Sequence, residues 1–236
     1  MRFYGSAMPF PHIQGAFQQQ LIVKAKQCVP AGVMVLHLRK PQWWSPLAVC
    51  LHAIKQAGNL SGKTVLITGC GPIGCLSVLA ARYAGAERMI ATDFSDYTLD
   101  IAQTYGADIV MNTRTEPNTL NAFHAEEGQI EGHLECSGAA AALATAVACL
   151  RPGGTLVQLG LGGDINIPLQ AITTKEITLR GSFRFHSEFA NWGDLMKSGL
   201  IVVDPLITHS FRIAKAKTAF ETAGDRSQAM KVQISF

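Results

Sequence analysis

The residues best placed to do chemistry are Gly69-Cys70-Gly71-Pro72-Ile73-Gly74, which follow directly on the apolar run Lys63-Thr64-Val65-Leu66-Ile67-Thr68. A Gly-x-Gly-x-x-Gly match alone is weak, because any tight strand-to-helix turn needs glycine. Here the context supports a dinucleotide site. Gly69 permits the turn, Gly71 lets the backbone approach a pyrophosphate, and Gly74 lets the helix pack closely on the strand. Pro72 stands where the first turn of a helix tolerates a missing N–H. The free N–H groups of that helix end, with its macrodipole, then face the phosphates. Asp93 closes the next apolar run, close to the ~20-residue distance at which a carboxylate accepts from the adenosine ribose hydroxyls. A 2′-phosphate beside it would meet a like charge, at a cost of ~4 kcal/mol for 4 Å and an effective dielectric of 20. Phe94-Ser95-Asp96-Tyr97-Thr98 offers no arginine to offset this, so NAD is the expected cofactor and NADP stays open.

Other reactive residue types show no comparable spacing. The six cysteines (Cys28, Cys50, Cys70, Cys75, Cys136 and Cys149) contain no Cys-x-x-Cys pair and read as reduced, buried thiols. His12, His37, His52, His124, His133, His186 and His209 lack metal-ligand spacing and read as surface or satisfied histidines. No catalytic residue and no metal ligand is assigned. A net charge of +3 without a Lys/Arg cluster gives no reason to expect nucleic acid as a partner. The uncharged stretch 65–81 holds Gly-x-Gly-Pro and falls short of the ~20 residues of a membrane span. The first residues lack an apolar signal segment, which makes the cytoplasm the expected location.

These residues must be held by a parallel sheet with crossover helices. Apolar runs at 64–68, 88–93, 108–111, 132–136, 155–159 and 177–181 read as strands, and 73–84, 97–105, 117–126 and 139–150 as helices. The fold class is α/β, a Rossmann doubly wound parallel six-stranded sheet. The ends belong elsewhere: 17–23 alternates as a strand, and 188–236 reads as a helix through Met196, a connection and a closing strand at 232–234. Residues 33–44 have no clean period.

Pro46-Leu47-Ala48-Val49, Gly71-Pro72-Ile73-Gly74, Ala84-Gly85-Ala86, Tyr105-Gly106-Ala107-Asp108, Arg151-Pro152-Gly153-Gly154 and Gly181-Ser182-Phe183-Arg184 together resemble the medium-chain, zinc-dependent alcohol and polyol dehydrogenases. The opening Gly5-Ser6-Ala7-Met8-Pro9-Phe10-Pro11-His12 and the Phe183-Arg184-Phe185 stretch resemble most the idonate-type branch, related to the sorbitol dehydrogenases. The resemblance implies a partial GroES-like, β-rich catalytic domain at 1–45, the NAD(P)-binding Rossmann domain at 46–184, and a return to the catalytic domain at 185–236. It also implies that Ile73, Leu159, Gly160, Leu161, Ser182, Phe183 and Arg184 line the cofactor, and that Arg184 meets either the nicotinamide end or a sugar-acid carboxylate.

The implied reaction is hydride transfer between NAD(P) and the secondary alcohol of a sugar acid or polyol, with zinc holding the alcohol oxygen. The family's zinc ligands have no counterpart in this sequence, and Ser45 stands where polyol members carry a Glu. The chain therefore reads as an N-terminally shortened dehydrogenase, expected to form a homodimer or homotetramer. A non-catalytic NAD-binding protein or inactive gene fragment, and a zinc-independent quinone-type reductase, are the competing readings.

Overall fold

A computed structural model describes residues 3–6, 10–28, 43–185, 188, 204–225 and 227–236. Six short runs make a central parallel sheet whose inner strands carry apolar residues buried on both faces. The six are β1 (Thr64–Thr68), β2 (Arg88–Asp93), β3 (Ile109–Asn112), β4 (Ile130–Glu135), β5 (Leu150–Gln158) and β6 (Thr178–Gly181), in the order β3-β2-β1-β4-β5-β6. Within β1 the alternation of a strand sends Val65 and Ile67 to one core and Leu66 to the other, and all three are fully buried. Between β1 and β4 the strand order reverses, the place where such sheets open a crevice at their carboxyl ends.

Helices α1 (Trp44–Ala57) and α2 (Pro72–Tyr83) contribute to one core, with α3 (Asp96–Thr104) beside them; α4 (Ala140–Cys149) and α5 (Leu169–Thr174) contribute to the other. The two-sided cover explains the apolar composition. Outside the sheet, β7 (Ile207–Arg212), α6 (Ala216–Gly224) and β8 (Lys231–Ser235) form a small unit whose two strands pair in parallel. A crossover helix is what a parallel pair requires.

Several sequence readings are corrected. Residues 117–126, read as a helix, form two 3-10 turns, Thr119–Phe123 and Ala125–Glu127. Glu126 and Glu127 take φ of 53° and 64°, left-handed values that no α-helix continues through. Residues 17–23 alternate but form no strand: Ile22 is 100% exposed, and Phe17, 65% exposed, meets the Phe220 ring edge-on at 5.6 Å instead of a neighbouring strand. Helix α1 was not visible in sequence, and β7 and α6 replace the plain connection read before the closing strand. The aperiodic 33–42 and the expected helix beyond residue 188 lie outside the described residues.

Candidate functional site

At the β1–α2 turn the three glycines are required for different reasons. Gly69 adopts φ 84°, and a Cβ there would stand 2.8 Å from the Ser137 nitrogen. At Gly74 a Cβ would fall 1.8 Å from the Gly69 carbonyl oxygen, so the first turn of α2 is pressed against the strand end. Gly71 differs, because a Cβ on it would meet nothing within 4 Å. It is the N-cap of α2 with Pro72 following, and no side chain caps the helix. The amide groups of that end are thus left to whatever ligand approaches.

Asp93, at the tip of β2, is half-buried and braces this turn. Its Oδ2 accepts from Cys70 N–H at 2.6 Å, and its Oδ1 accepts from Phe94 N–H at 2.7 Å and Ser95 N–H at 3.1 Å. Beside it lies a cavity of about 260 Å³, lined among others by Gly69, Asp93, Phe94, Thr113, Ala142 and Thr145. The cavity walls come from the ends of β1 and β2, the segment after β3 and the face of α4. Although no arginine follows Asp93 in sequence, the fold brings one in from another loop. The Arg114 guanidinium carbon lies 5.3 Å from the centre of the Phe94 ring.

Across the crevice Glu135 ends β4 wholly buried. One oxygen accepts from Ser137 N–H at 2.8 Å, from the Ser137 hydroxyl and from Thr68 Oγ1; the other accepts from Gly138 N–H at 2.9 Å and Gln158 Nε2 at 2.6 Å. His133 and Thr68 are joined at 2.9 Å, and burial pushes the His133 pKa down to about 3. The ring is therefore neutral at physiological pH. Among the described residues its Nδ1 is buried without a hydrogen-bond partner, as is Nε2 of His124. The same network carries the backbone of Leu159 and Gly160, whose N–H groups both donate to the Glu135 carbonyl at 2.8 Å. A Cβ on Gly160 would fall 2.1 Å from the Gly138 nitrogen, so these two loops meet backbone to backbone.

Leu161 is 80% exposed and Phe183 is exposed, whereas Ser182 is buried with a hydroxyl that has no hydrogen-bond partner among the described residues. Gln158 Oε1 likewise has none among the described residues. Arg184, at φ 60°, donates to Ser6 Oγ at 2.7 Å and lies 4.1 Å from the Phe3 ring centre, so it links the end of the sheet to the N-terminal segment.

The thiols are quiet. All six cysteines are free and only Cys28 is exposed. Burial pushes Cys50 and Cys75 up to about 12, so neither offers a thiolate at neutral pH. Among the described residues no group of three His, Cys, Asp or Glu side chains comes together to hold a metal. Among the described residues no donor set fits zinc. Among the described residues no helix is long and apolar enough to cross a membrane.

Comparison with known proteins matches this architecture to proteins of established name. Residues 72–198 match the family described as zinc-binding dehydrogenase. The chain is 38% identical to L-idonate 5-dehydrogenase (NAD(P)(+)) of Escherichia coli K12, over the whole chain and 68% of that protein. It is 35% identical to the sorbitol dehydrogenase of Bos taurus, over 80% of the chain and 54% of that protein. The crystal structure of the Escherichia coli L-idonate 5-dehydrogenase superposes with a TM-score of 0.94, covering all of this chain and 67% of the other.

Proposed function

Because the chain belongs to the zinc-binding dehydrogenase family, we propose that it carries the nicotinamide-cofactor site of a polyol or sugar-acid dehydrogenase of the idonate and sorbitol type. The observation that carries the reading is Gly71. It alone of the three turn glycines faces open space, at the uncapped start of a helix, while Gly69 and Gly74 are closed in by backbone. A Cβ-free surface at a bare helix end fits a pyrophosphate.

In this reading Gly69, Gly71, Pro72, Ile73 and Gly74 hold the pyrophosphate. The half-buried Asp93 keeps a lone pair on Oδ2 for the adenosine ribose while its three backbone N–H contacts fix its orientation. The cavity beside it takes the adenine, whose flat apolar faces suit Ala142 and Thr145. Leu159, Gly160, Leu161, Ser182 and Phe183 border the nicotinamide, where the unpartnered Ser182 hydroxyl and Gln158 oxygen supply polar contacts at the crevice. Bound there, the cofactor supplies hydride chemistry. The protein's own task is to orient it and to exclude water with the exposed Leu161 and Phe183 side chains. Arg184 is assigned a structural part at this end, because its guanidinium is engaged with Ser6 and Phe3.

The alcohol substrate is a polyol or sugar acid, and the reaction requires zinc ligands that the described residues do not bring together. The same observation favours a second reading, a chain that binds the cofactor without turning it over. We place residues 46–184 in the cofactor domain and 1–45 and 185–236 in the catalytic one. The edge strand β6, with all four residues exposed, supports pairing with a second copy in a dimer. Titration calorimetry with NAD tests the cofactor reading. Micromolar to millimolar binding that is lost in Gly71→Val supports it, and no binding by the folded parent chain overturns it. Turnover of L-idonate or sorbitol by the metal-loaded chain separates the dehydrogenase from the silent binder.

A further inference from the structure

Two partly buried lysines are employed in different ways. Lys175 gives its ammonium to the carbonyls of Val147, Ala148 and Leu150, at 3.1, 2.9 and 2.9 Å. Lys231, the first residue of β8, makes no hydrogen bond or ion pair through its ammonium among the described residues and rests 5.7 Å from the ring centre of Trp43. Burial holds its pKa below the ordinary lysine value, as expected of a cation that has lost water and gained no anion. The Trp43 side chain beneath it is wholly buried, and its Nε1–H has no acceptor among the described residues. An ammonium and an indole N–H are thus brought together with nothing to receive them.

The pair stands at the open end of the sheet. Helix α1 ends at Ala57, a short loop before β1 begins at Thr64, so it runs against the strands and its first turn lies at their carboxyl ends. The Cys50 thiol agrees with this direction, since it reaches the Ile73 carbonyl in the first turn of α2 at 3.4 Å. Trp43 directly precedes α1 and so belongs to the side on which the crevice opens. Glu188, an acid that packs on α1, is already taken by His52 at 3.3 Å and Lys55 at 3.5 Å. A pyrophosphate has its own donors at the uncapped start of α2. The anion left for Lys231 and Trp43 is one carried by the second substrate, and a carboxylate, with two acceptor oxygens, matches an ammonium and an N–H.

We propose that Lys231 and Trp43 seat the carboxylate of a sugar acid, so that the site prefers an acidic substrate to a neutral polyol. This rests on the dehydrogenase reading above and narrows its substrate class. The indole face holds the ammonium in place, and the arriving carboxylate supplies the counter-charge that the buried cation lacks.

The test is titration calorimetry of the full chain, saturated with NAD, against L-idonate and against sorbitol. Lys231→Met is expected to weaken L-idonate about tenfold, the loss of a charge-assisted bond, and to change sorbitol and NAD less than about twofold. Retained NAD binding also reports that the variant is folded. Lys231→Arg keeps the charge and should retain most of the L-idonate affinity, and added salt should erode the parent chain's affinity more than that of Lys231→Met. Trp43→Phe keeps the ring and loses the N–H, and should weaken L-idonate about threefold; an unchanged affinity there overturns the share of Trp43. Equal L-idonate affinities in the parent and Lys231→Met, or no preference of the NAD-loaded parent for L-idonate over sorbitol, overturn the proposal alone. A loss of NAD affinity in Lys231→Met as large as the loss of L-idonate also overturns it, by making the lysine a cofactor ligand. Failure of the parent chain to bind NAD removes the dehydrogenase reading and this proposal with it.

Discussion

The crevice has two walls, each ending in an acid at the tip of a parallel strand, and they use that acid in opposite ways. On the β4 side Glu135 is fully buried and both of its oxygens are taken by protein donors. On the β2 side Asp93 is half-buried, braces the glycine turn through backbone N–H groups, and borders an open cavity. Burial decides the role. A carboxylate sealed from water must be satisfied by the protein and so becomes a structural tie. One left at a cavity keeps acceptor capacity for a ligand. Substitutions on the closed wall should therefore cost stability, and those on the open wall should cost binding.

The seam between the walls should give the largest effect. Gly74→Ala would drive a Cβ into the Gly69 carbonyl and is expected to cost more than about 4 kcal/mol, read as loss of cooperative unfolding in urea. Gly71→Ala, with open space at its Cβ, should leave the urea midpoint within about 0.5 kcal/mol and weaken NAD. If both glycines behaved alike, the division into closed and open elements would fail.

Next comes the closed acid itself. Glu135→Gln turns an acceptor into a donor that faces the Ser137 or Gly138 N–H, and a loss of about 3 kcal/mol is expected by chemical denaturation. A stability equal to the parent's would show that the network is dispensable.

The pH dependence of the same wall is set by His133. Its folded pKa of about 3 lies below the ordinary 6.5, so the unfolded chain binds the proton more readily than the folded one. Stability is then fully present above pH 6.5 and falls as the pH drops toward 3, by up to about 1.4 kcal/mol per pH unit. Unfolding free energies at pH 7.5, about 6 and about 5 would measure the slope, and His133→Gln should flatten it.

Of the two acids, the one on the open wall has the smaller effect on stability. Asp93→Asn is expected to cost about 1 kcal/mol while shifting preference from NAD toward NADP, because it removes the charge that a 2′-phosphate meets. A stability loss as large as that of Glu135→Gln, with an unchanged cofactor preference, would erase the distinction between the two acids.

Legibility from sequence follows the same division. The turn and Asp93 could be read because one supersecondary unit places them, with fixed offsets between apolar run, glycines and acid. The sheet was legible because its central strands β1 and β2 are short apolar runs set between glycine turns and helical segments. Glu135 was not, since Thr68 and Gln158, which satisfy it, are 67 and 23 residues away and come together only through strand order. Arg114 escaped notice because it arrives from beyond β3 rather than from the residues after Asp93. Alternation misled at residues 17–23, where an apolar rhythm found no neighbouring strand among the described residues. Polar helix formers misled at 117–126, where positive φ values at the end break the chain into short turns.

The clasp between Arg184 and Ser6 closes a span of 178 residues. The ladders of the sheet join segments much nearer in sequence; β1 and β2, for example, pair Thr64 with Arg88. The entropy of closing a loop grows only as the logarithm of its length, so the clasp is not forbidden, but it depends on both of its ends already having a place. The sheet can assemble without residues 3–6, whereas those residues have no seat until β6 and the segment after it are formed. The clasp is therefore assigned to a late step of folding and an early step of local opening. The amides around Ser6 should exchange their hydrogens well before those of β1.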